Sequence, residues 1–145
     1  MLTSKERSLS KNIDSVRLIL KWDEYLNDIN QLVYKIKESN IKFDIVYGIP
    51  RGGLILATIL SHQLNIELID YSLLNTLYVQ NKILLLIDDL VDSGNTLTKY
   101  SNLYQVKMCN DVKTATLYKH KKSLVIPNFY IKENESWIVF PYESD

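Results

Sequence analysis

This chain has very little cysteine and no surplus of positive charge. Its 145 residues include one cysteine, Cys109, which excludes an internal disulfide and a cysteine-based zinc cluster. Lysine and arginine together number 17, as do aspartate and glutamate, so the formal net charge is zero. A nucleic-acid-binding protein usually carries a positive surplus that neutralises phosphates. The composition therefore argues against a nucleic-acid partner.

Long apolar runs are also missing. None reaches the roughly 18 residues that a membrane-spanning helix requires, and residues 1–12 are polar and charged, unlike a secretory signal. We therefore expect a cytoplasmic protein with no membrane partner. Residues 1–14 are expected to form a mobile leader. Residues 15–145 are expected to form a single domain, because they contain no repeat, linker or low-complexity segment.

Glycine is rare, and its few positions are informative. The chain has four glycines, whereas average usage is about 7%. Gly48, Gly52, Gly53 and Gly94 all lie in two short segments, each next to an apolar, strand-like run. A chain so poor in glycine is expected to use it where the backbone requires it. The two segments are therefore the first candidates for a functional site.

The chain does contain a regular alternation of strand-like and helix-like segments. Residues 83–87 (Ile-Leu-Leu-Leu-Ile) have no polar face, as expected of a central parallel strand. The alternation predicts an α/β fold with a mostly parallel central sheet flanked by helices. The predicted strands are residues 15–21, 43–49, 66–72, 83–87, 114–118 and 137–140; the predicted helices are residues 24–39, capped by Asp23, 54–64 and 96–106.

The loop after residues 83–87 is the most informative segment. The strand ends in two acids, Asp88 and Asp89, and residues 92–96 (Asp-Ser-Gly-Asn-Thr) lead into a predicted helix. Small residues at a helix N-terminus present backbone N–H groups to a phosphate, and the serine and threonine hydroxyls add donors. Two carboxylates beside such a cradle suit vicinal ribose hydroxyls, or a magnesium ion that holds them.

This segment resembles the phosphoribosyl-pyrophosphate-binding motif of type I phosphoribosyltransferases. In that motif four apolar residues, two acids and two apolar residues precede Asp-Ser/Thr-Gly-x-Thr. The resemblance implies that Asp88 and Asp89 hold the ribose hydroxyls and that Asp92 accepts a proton near N7 of the base. The alternative is that these acids are caps in an ordinary Rossmann-like loop. The resemblance assigns the 5-phosphate to Ser93, Gly94, Asn95 and Thr96.

A second loop of the same kind follows residues 43–49. Arg51, Gly52 and Gly53 lie between a strand and a helix, so the backbone can approach a bulky anion and the guanidinium supplies positive charge. In the family the equivalent loop binds pyrophosphate, often through a non-proline cis peptide, which the resemblance places between Arg51 and Gly52. Alone, the triplet is equally consistent with an ordinary turn. Its position one β-α-β unit before the first motif favours the pyrophosphate site.

The C-terminal region carries the residues that would meet a base. In the xanthine-guanine and hypoxanthine-guanine branch of the family, a strand-end lysine donates to purine O6 and an aromatic residue stacks on the base. The resemblance implies these roles for Lys119 and Trp137, with Ile138 at the edge of the base; Asp92 and Lys119 become the candidate catalytic residues. An ammonium has donors only and suits a 6-oxo acceptor. The alternatives are a solvated lysine and a core tryptophan.

The resemblance extends from Arg17 to Glu143 and implies a magnesium-dependent enzyme of purine salvage. It would transfer the phosphoribosyl group from phosphoribosyl pyrophosphate to guanine, xanthine or hypoxanthine, and so act as a nucleotide-binding glycosyltransferase. Asp89, together with pyrophosphate, is the candidate ligand for magnesium, and Glu143 is a weaker one. The resemblance also implies a homo-oligomer, either a dimer or a tetramer.

One segment departs from the family. Type I enzymes usually carry a mobile hood loop that covers the reacting ribose, between the strands that correspond here to residues 66–72 and 83–87. Only residues 73–82 lie between them, so we expect a shortened hood. Two alternatives therefore stay open. One is a non-catalytic sensor of a nucleotide or of phosphoribosyl pyrophosphate on the same fold, and the other is a phosphoribosyltransferase for a different base, such as a pyrimidine.

Overall fold

The structure is a computed structural model of the chain and describes residues 17–143. The predicted leader, residues 1–14, lies outside the described residues. The strands are β1 (Arg17–Ile19), β2 (Ile45–Gly48), β3 (Glu67–Ile69), β4 (Ile83–Ile87), β5 (Leu90–Val91), β6 (Asp111–Ala115), β7 (Tyr118–His120), β8 (Lys132–Asn134) and β9 (Trp137–Val139). The helices are α1 (Trp22–Glu38), α2 (Gly52–Leu64), α3 (Tyr71–Leu74), α4 (Asn95–Ser101) and α5 (Tyr104–Lys107), with a 3-10 turn at Leu77–Val79.

Four strands form the central sheet, in the order β3-β2-β4-β6, and every pair in it is parallel. Gly48 at the end of β2 pairs with Ile87 at the end of β4, and Ile87 pairs with Ala115 at the end of β6. The loops that follow these three strands therefore leave the sheet at one edge. Ligands of parallel α/β proteins bind at this edge.

The core consists of two apolar clusters, one on each side of the central sheet. Val46 and Leu85 belong to the cluster that α1 and α2 cover, whereas their neighbours Ile45 and Leu84 belong to the cluster that includes residues of α4 and α5. All four are fully buried, because successive residues of a strand face opposite sides and this sheet is covered on both. The predicted α/β fold with a mostly parallel, helix-flanked sheet is confirmed.

Two smaller parallel sheets complete the fold. One contains β5, β7 and β8, and the other pairs β1 with β9. The predicted strand over residues 114–118 is divided, since β6 ends at Ala115 and β7 begins at Tyr118. Between the two strands, the hydroxyl of Thr116 donates a hydrogen bond to the carbonyl of Tyr118 at 2.8 Å, which stabilises the interruption. β5 and β8 were not predicted, because each is short and β8 (Lys-Glu-Asn) has no apolar residue.

Three further boundaries differ from the prediction. Asp23 does not cap α1 but lies in its first turn, where its charge is favourable to the helix dipole. The strand predicted over residues 66–72 ends at Ile69, because the carboxylate of Asp70 accepts the backbone N–H of Leu73 at 3.2 Å and caps α3. The helix predicted over residues 96–106 is interrupted between α4 and α5.

The connection between β3 and β4, residues 70–82, is short and firmly packed. Leu74 and Val79 are fully buried. The hydroxyl of Tyr78 donates to the carboxylate of Glu67 at 2.7 Å, and the ammonium of Lys82 lies 4.6 Å from the centroid of the Tyr78 ring. Residues 70–82 are therefore the whole connection between the two strands, and they pack against the sheet. Between residues 17 and 143, no helix has the length and apolar character needed to cross a bilayer.

Candidate active site

The loop between β2 and α2 holds Arg51 at the carboxyl edge of the sheet. The backbone N–H of Ile49 donates to the carbonyl of Ile87 at 2.8 Å and anchors the loop to β4. The peptide between Pro50 and Arg51 is cis, so the predicted cis bond between Arg51 and Gly52 is wrong by one position. Gly52 is already the first residue of α2, and the peptide that enters the helix has the ordinary trans form. Gly53, the next residue of α2, is buried.

Asp88 and Asp89 follow β4 and have different environments. The backbone N–H of Asp89 donates to the carboxylate of Asp88 at 2.8 Å. Burial, and secondly the charge of Asp89, raise the pKa of Asp88 to about 8. The carboxylate of Asp89 instead accepts the hydroxyl of Tyr142 at 2.6 Å. Asp88 thus keeps its proton to a higher pH than a free carboxylic acid does, whereas Asp89 is oriented by a side chain from the C-terminal segment.

A cavity of about 520 Å³ lies where the two loops and the C-terminal segment meet. Its volume is within the usual range for small-molecule sites. The cavity brings Arg51 and Gly52, from the predicted pyrophosphate loop, to the two predicted ribose-binding acids. No residue of the short connection 70–82 lines it. The lining residues are Pro50, Arg51, Gly52, Ile55, Asp88, Asp89, Tyr142 and Glu143.

A second cavity, of about 90 Å³, lies in the loop between β4 and α4. Gly94 in this loop has a φ of 92°, a left-handed conformation that favours glycine, and an added Cβ would overlap the side chain of Val125. The backbone N–H of Asn95 donates to the hydroxyl of Ser93 at 3.3 Å. Asp88 lines both cavities, so the two predicted anion sites meet at this acid. The small cavity is lined by Asp88, Leu90, Val91, Asp92, Ser93, Gly94, Thr96 and Leu97.

Lys119 is a buried cation in β7. It pairs in register with Val91 of β5 and with Glu133 of β8. Its side chain is 5% exposed, and its ammonium lies 3.6 Å from the carboxylate of Glu133 and donates to the carbonyl of His120 at 3.2 Å. The alternative of a solvated surface lysine is therefore wrong. An ammonium has three donors, so two such contacts leave one for a ligand.

Trp137 and Ile138 lie in β9, away from the two cavities. Trp137 is partly exposed and pairs in register with Arg17. Ile138 is buried in the core cluster under α1 and α2, so its side chain cannot contact a base. Any role of Ile138 at the edge of a base would fall to its backbone. Neither residue lines the cavities that contain the acids.

Tyr142 is a site residue that the sequence did not indicate. It is one of ten tyrosines, which show no spacing that would single out any of them. A tight turn presents it to the cavity: the backbone N–H of Glu143 donates to the carbonyl of Phe140 at 3.0 Å, and the N–H of Phe140 donates to the carboxylate of Glu143 at 3.1 Å. Only its position next to Glu143, a predicted site residue, could have drawn attention to it.

The acids of the large cavity are suited to a cation that is shared with a ligand. Asp88, Asp89 and Glu143 line the same cavity, but the described residues contain no group of three or more acids, histidines or cysteines arranged to enclose a metal ion. Magnesium commonly takes only one or two carboxylates from a protein and completes its octahedron with substrate phosphates and water. The donor set therefore fits magnesium that arrives with a phosphorylated ligand.

Comparisons with known proteins agree with this geometry. Residues 18–73 and 66–144 match the family model described as "Phosphoribosyl transferase domain". The xanthine-guanine phosphoribosyltransferase of Chromohalobacter salexigens is 28% identical over 140 residues, covering 86% of this chain and 82% of the relative. The structure of a purine phosphoribosyltransferase from Pyrococcus horikoshii is 31% identical with a TM-score of 0.75, covering 89% of this chain and 95% of that one. With its two phosphoribosyltransferase-like loops at one sheet edge, the chain belongs to the phosphoribosyl transferase family of enzymes.

Proposed function

We propose that this phosphoribosyltransferase transfers the 5-phosphoribosyl group of phosphoribosyl pyrophosphate to guanine, xanthine or hypoxanthine and releases pyrophosphate. The observation that carries the proposal is the meeting of Arg51 and Gly52 with Asp88 and Asp89 around one cavity. The order of sites along the sheet edge suits a substrate with pyrophosphate on C1 and phosphate on C5 of a ribose. Relatives named xanthine-guanine phosphoribosyltransferase support the choice of base.

The two loops would bind the two ends of phosphoribosyl pyrophosphate. Arg51 supplies positive charge to the pyrophosphate, while Gly52 keeps the backbone free of a side chain on that side. Asp88 and Asp89 accept hydrogen bonds from the ribose hydroxyls between the two ends. The hydroxyls and backbone N–H groups of residues 93–96 receive the 5-phosphate in the small cavity.

The base would bind beyond Asp92, next to β7 of the three-stranded sheet β5-β7-β8. Lys119 donates its remaining hydrogen bond to O6 of the purine, and Glu133 holds the ammonium in place at 3.6 Å. Trp137 supplies a ring for stacking, which contributes on the order of 1–3 kcal/mol per base in comparable sites, and the backbone of Ile138 meets the edge of the base. The stacking role requires the ring of Trp137 to face the base when the base is bound.

The reaction is a displacement at C1 of the ribose. The bond from C1 to the pyrophosphate oxygen breaks as a ring nitrogen of the base bonds to C1, and the proton on N7 passes to Asp92. Positive charge develops on the ribose in the transition state, while Asp88 and Asp89 hold the ribose through its hydroxyls. Magnesium, bound with the pyrophosphate at Asp89 and Glu143, would supply Lewis-acid neutralisation of the leaving group.

A base-specificity assay tests the proposal directly. The protein is incubated with phosphoribosyl pyrophosphate, magnesium and one base at a time, and nucleotide formation is followed by ultraviolet absorbance. We expect turnover of 6-oxopurines and none of adenine, because a buried donor that finds no acceptor strongly disfavours binding. Robust turnover of adenine or of a pyrimidine would overturn the choice of base. Binding of phosphoribosyl pyrophosphate without turnover of any base would identify a sensor instead.

The variant Lys119→Met tests the role of the ammonium in the same assay. It removes the charge and keeps most of the side-chain volume. We expect kcat/KM for guanine to fall about 10- to 100-fold, as for a lost hydrogen bond from a charged donor, while affinity for phosphoribosyl pyrophosphate is retained. Lys121→Met is the matched control, because Lys121 is 63% exposed and pairs only with the exposed Glu135 among the described residues. Equal effects of the two substitutions would remove Lys119 from base recognition.

A further inference from the structure

Tyr142 joins the C-terminal segment to the acid pair across 53 positions of sequence. Its hydroxyl donates to one carboxylate oxygen of Asp89 at 2.6 Å, and both side chains line the large cavity. Gly52 lies directly against this hydrogen bond. A Cβ at Gly52 would overlap the Asp89 carboxylate and lie 2.5 Å from the Tyr142 hydroxyl. The hydrogen bond therefore lies where the pyrophosphate loop, the acid pair and the C-terminal segment meet.

The ring of Tyr142 is held rigidly by its neighbours. It stacks on Phe140, with ring centroids 5.4 Å apart and an interplanar angle of 11°. Tyr25 of α1 packs edge-on against it, at 5.7 Å and 74°. The two hydrogen bonds between Phe140 and Glu143 close the turn that carries it. The hydroxyl thus has a defined position before any ligand binds, which is what distinguishes a positioning contact from a surface one.

The chemistry of the contact favours a fixed donor. Burial, and secondly the charge of Asp89, raise the pKa of the Tyr142 hydroxyl, so the phenol stays protonated and donates. A carboxylate has two oxygens, and one held by Tyr142 leaves the other directed for a ligand. No such phenol contacts Asp88 among the described residues.

We propose that Tyr142 is a positioning residue for phosphoribosyl pyrophosphate: its hydroxyl fixes the carboxylate of Asp89 in the orientation that accepts the ribose hydroxyls. The inference rests on the proposed function, because that function places the ribose at Asp89. Asp89 makes the contact to substrate, and Tyr142 acts through it. The contribution is therefore to substrate binding in both the ground state and the transition state, rather than to the transfer step alone.

The variant Tyr142→Phe removes the hydroxyl and keeps the ring packing. We expect the Kd for phosphoribosyl pyrophosphate with magnesium, measured by calorimetry, to rise about tenfold, a size typical of a hydrogen bond to a carboxylate. The KM should rise in parallel, and kcat should change by less than about twofold. A wild-type Kd in the folded variant would overturn the proposal, as would a fall in kcat with no change in Kd or KM.

Tyr25→Phe is the matched control. Tyr25 lies in the same aromatic cluster, but its buried hydroxyl has no hydrogen-bond partner in residues 17–143. Its removal should leave the Kd within about twofold of wild type. A rise equal to that of Tyr142→Phe would mean that any loss of a hydroxyl from the cluster disturbs the site, and the proposal would be wrong. Thermal unfolding of both variants establishes that the binding measurements are made on folded protein.

A double-mutant cycle separates positioning from general packing. In an Asp89→Ala background, Tyr142→Phe should weaken binding by less than about twofold, because the group that it positions is gone. A full tenfold effect in both backgrounds would overturn the proposal. Wild-type measurements keep the two proposals apart: binding of phosphoribosyl pyrophosphate without purine turnover overturns only the proposed function, and no binding at all overturns both.

Discussion

Asp88 is a carboxylic acid whose ionisation differs clearly from that of a free side chain. Burial, followed by the charge of Asp89, raises the pKa of Asp88 to about 8, from an ordinary value of 3.8. Between these two values the folded protein holds a proton that the unfolded chain has lost. The free energy of unfolding therefore decreases as pH rises through this window, since the folded state binds more protons there.

Asp88→Asn should remove this contribution, because an amide does not ionise. We expect chemical denaturation to show a free energy of unfolding that falls from about pH 4 to about pH 8 in wild type and falls less in the variant. At pH 8 the variant should be the more stable, by up to several kcal/mol, since each unit of raised pKa contributes roughly 1.4 kcal/mol. Parallel profiles for wild type and Asp88→Asn would contradict the assignment.

At the scale of elements, the loop between β4 and α4, which we propose binds the 5-phosphate, depends on a segment distant in sequence. Gly94 has a φ of 92°, and the side chain of Val125, from the loop between β7 and β8, fills the space where a Cβ would project. Two separate costs therefore oppose a side chain at this position: the left-handed backbone and the overlap with Val125. The first costs an alanine about 1–2 kcal/mol.

Gly94→Ala should weaken the binding of phosphoribosyl pyrophosphate by about tenfold or more, because the loop must leave the conformation that receives the 5-phosphate. Adding Val125→Ala removes the overlap and leaves the backbone cost, so it should restore part of the affinity. Val125→Ala alone is the control for loss of the valine. Calorimetry of the three variants measures the two costs separately. Wild-type affinity in Gly94→Ala would show that the loop does not need this conformation.

At the scale of the whole molecule, the large cavity lacks a cover from the connection between β3 and β4. Residues 70–82 are packed against the sheet through Leu74 and Val79, and none of them lines the cavity. Lids in enzymes of this kind exclude water from the reacting centre. Water can therefore reach C1 of a bound ribose unless another part of the protein, or a second copy of it, covers the site.

We expect the protein to hydrolyse phosphoribosyl pyrophosphate slowly when no base is present. Release of pyrophosphate with magnesium alone, compared with a protein-free control, measures this reaction. If a neighbouring subunit supplies the cover, the specific rate of hydrolysis should rise as the protein is diluted. Brisk transfer to a base with hydrolysis at the uncatalysed background, at every protein concentration, would show that a segment of this chain closes over the site.

The two glycine loops and β4 could be predicted from the sequence because each depends on residues that are adjacent along the chain. An apolar strand, a turn and the start of a helix form one local pattern. The residue types in the turn indicate directly that it can bind an anion. β4 was predicted with its observed bounds, 83–87. The α/β fold followed from the alternation of strands and helices, and the family and enzyme class from the resemblance of the two loops to a known family; all three are confirmed.

Only the tertiary structure determined which distant groups act on these loops. The hydrogen bond from Tyr142 to Asp89, the contact of Val125 with Gly94 and the ion pair of Lys119 with Glu133 all join separate segments. Such contacts produce no periodicity or spacing in the sequence. The raised pKa of Asp88 likewise arises from burial and a neighbouring charge, which exist only after folding. The sequence alone determined the types of residue at the site, and the packing of remote segments determined their orientation and charge.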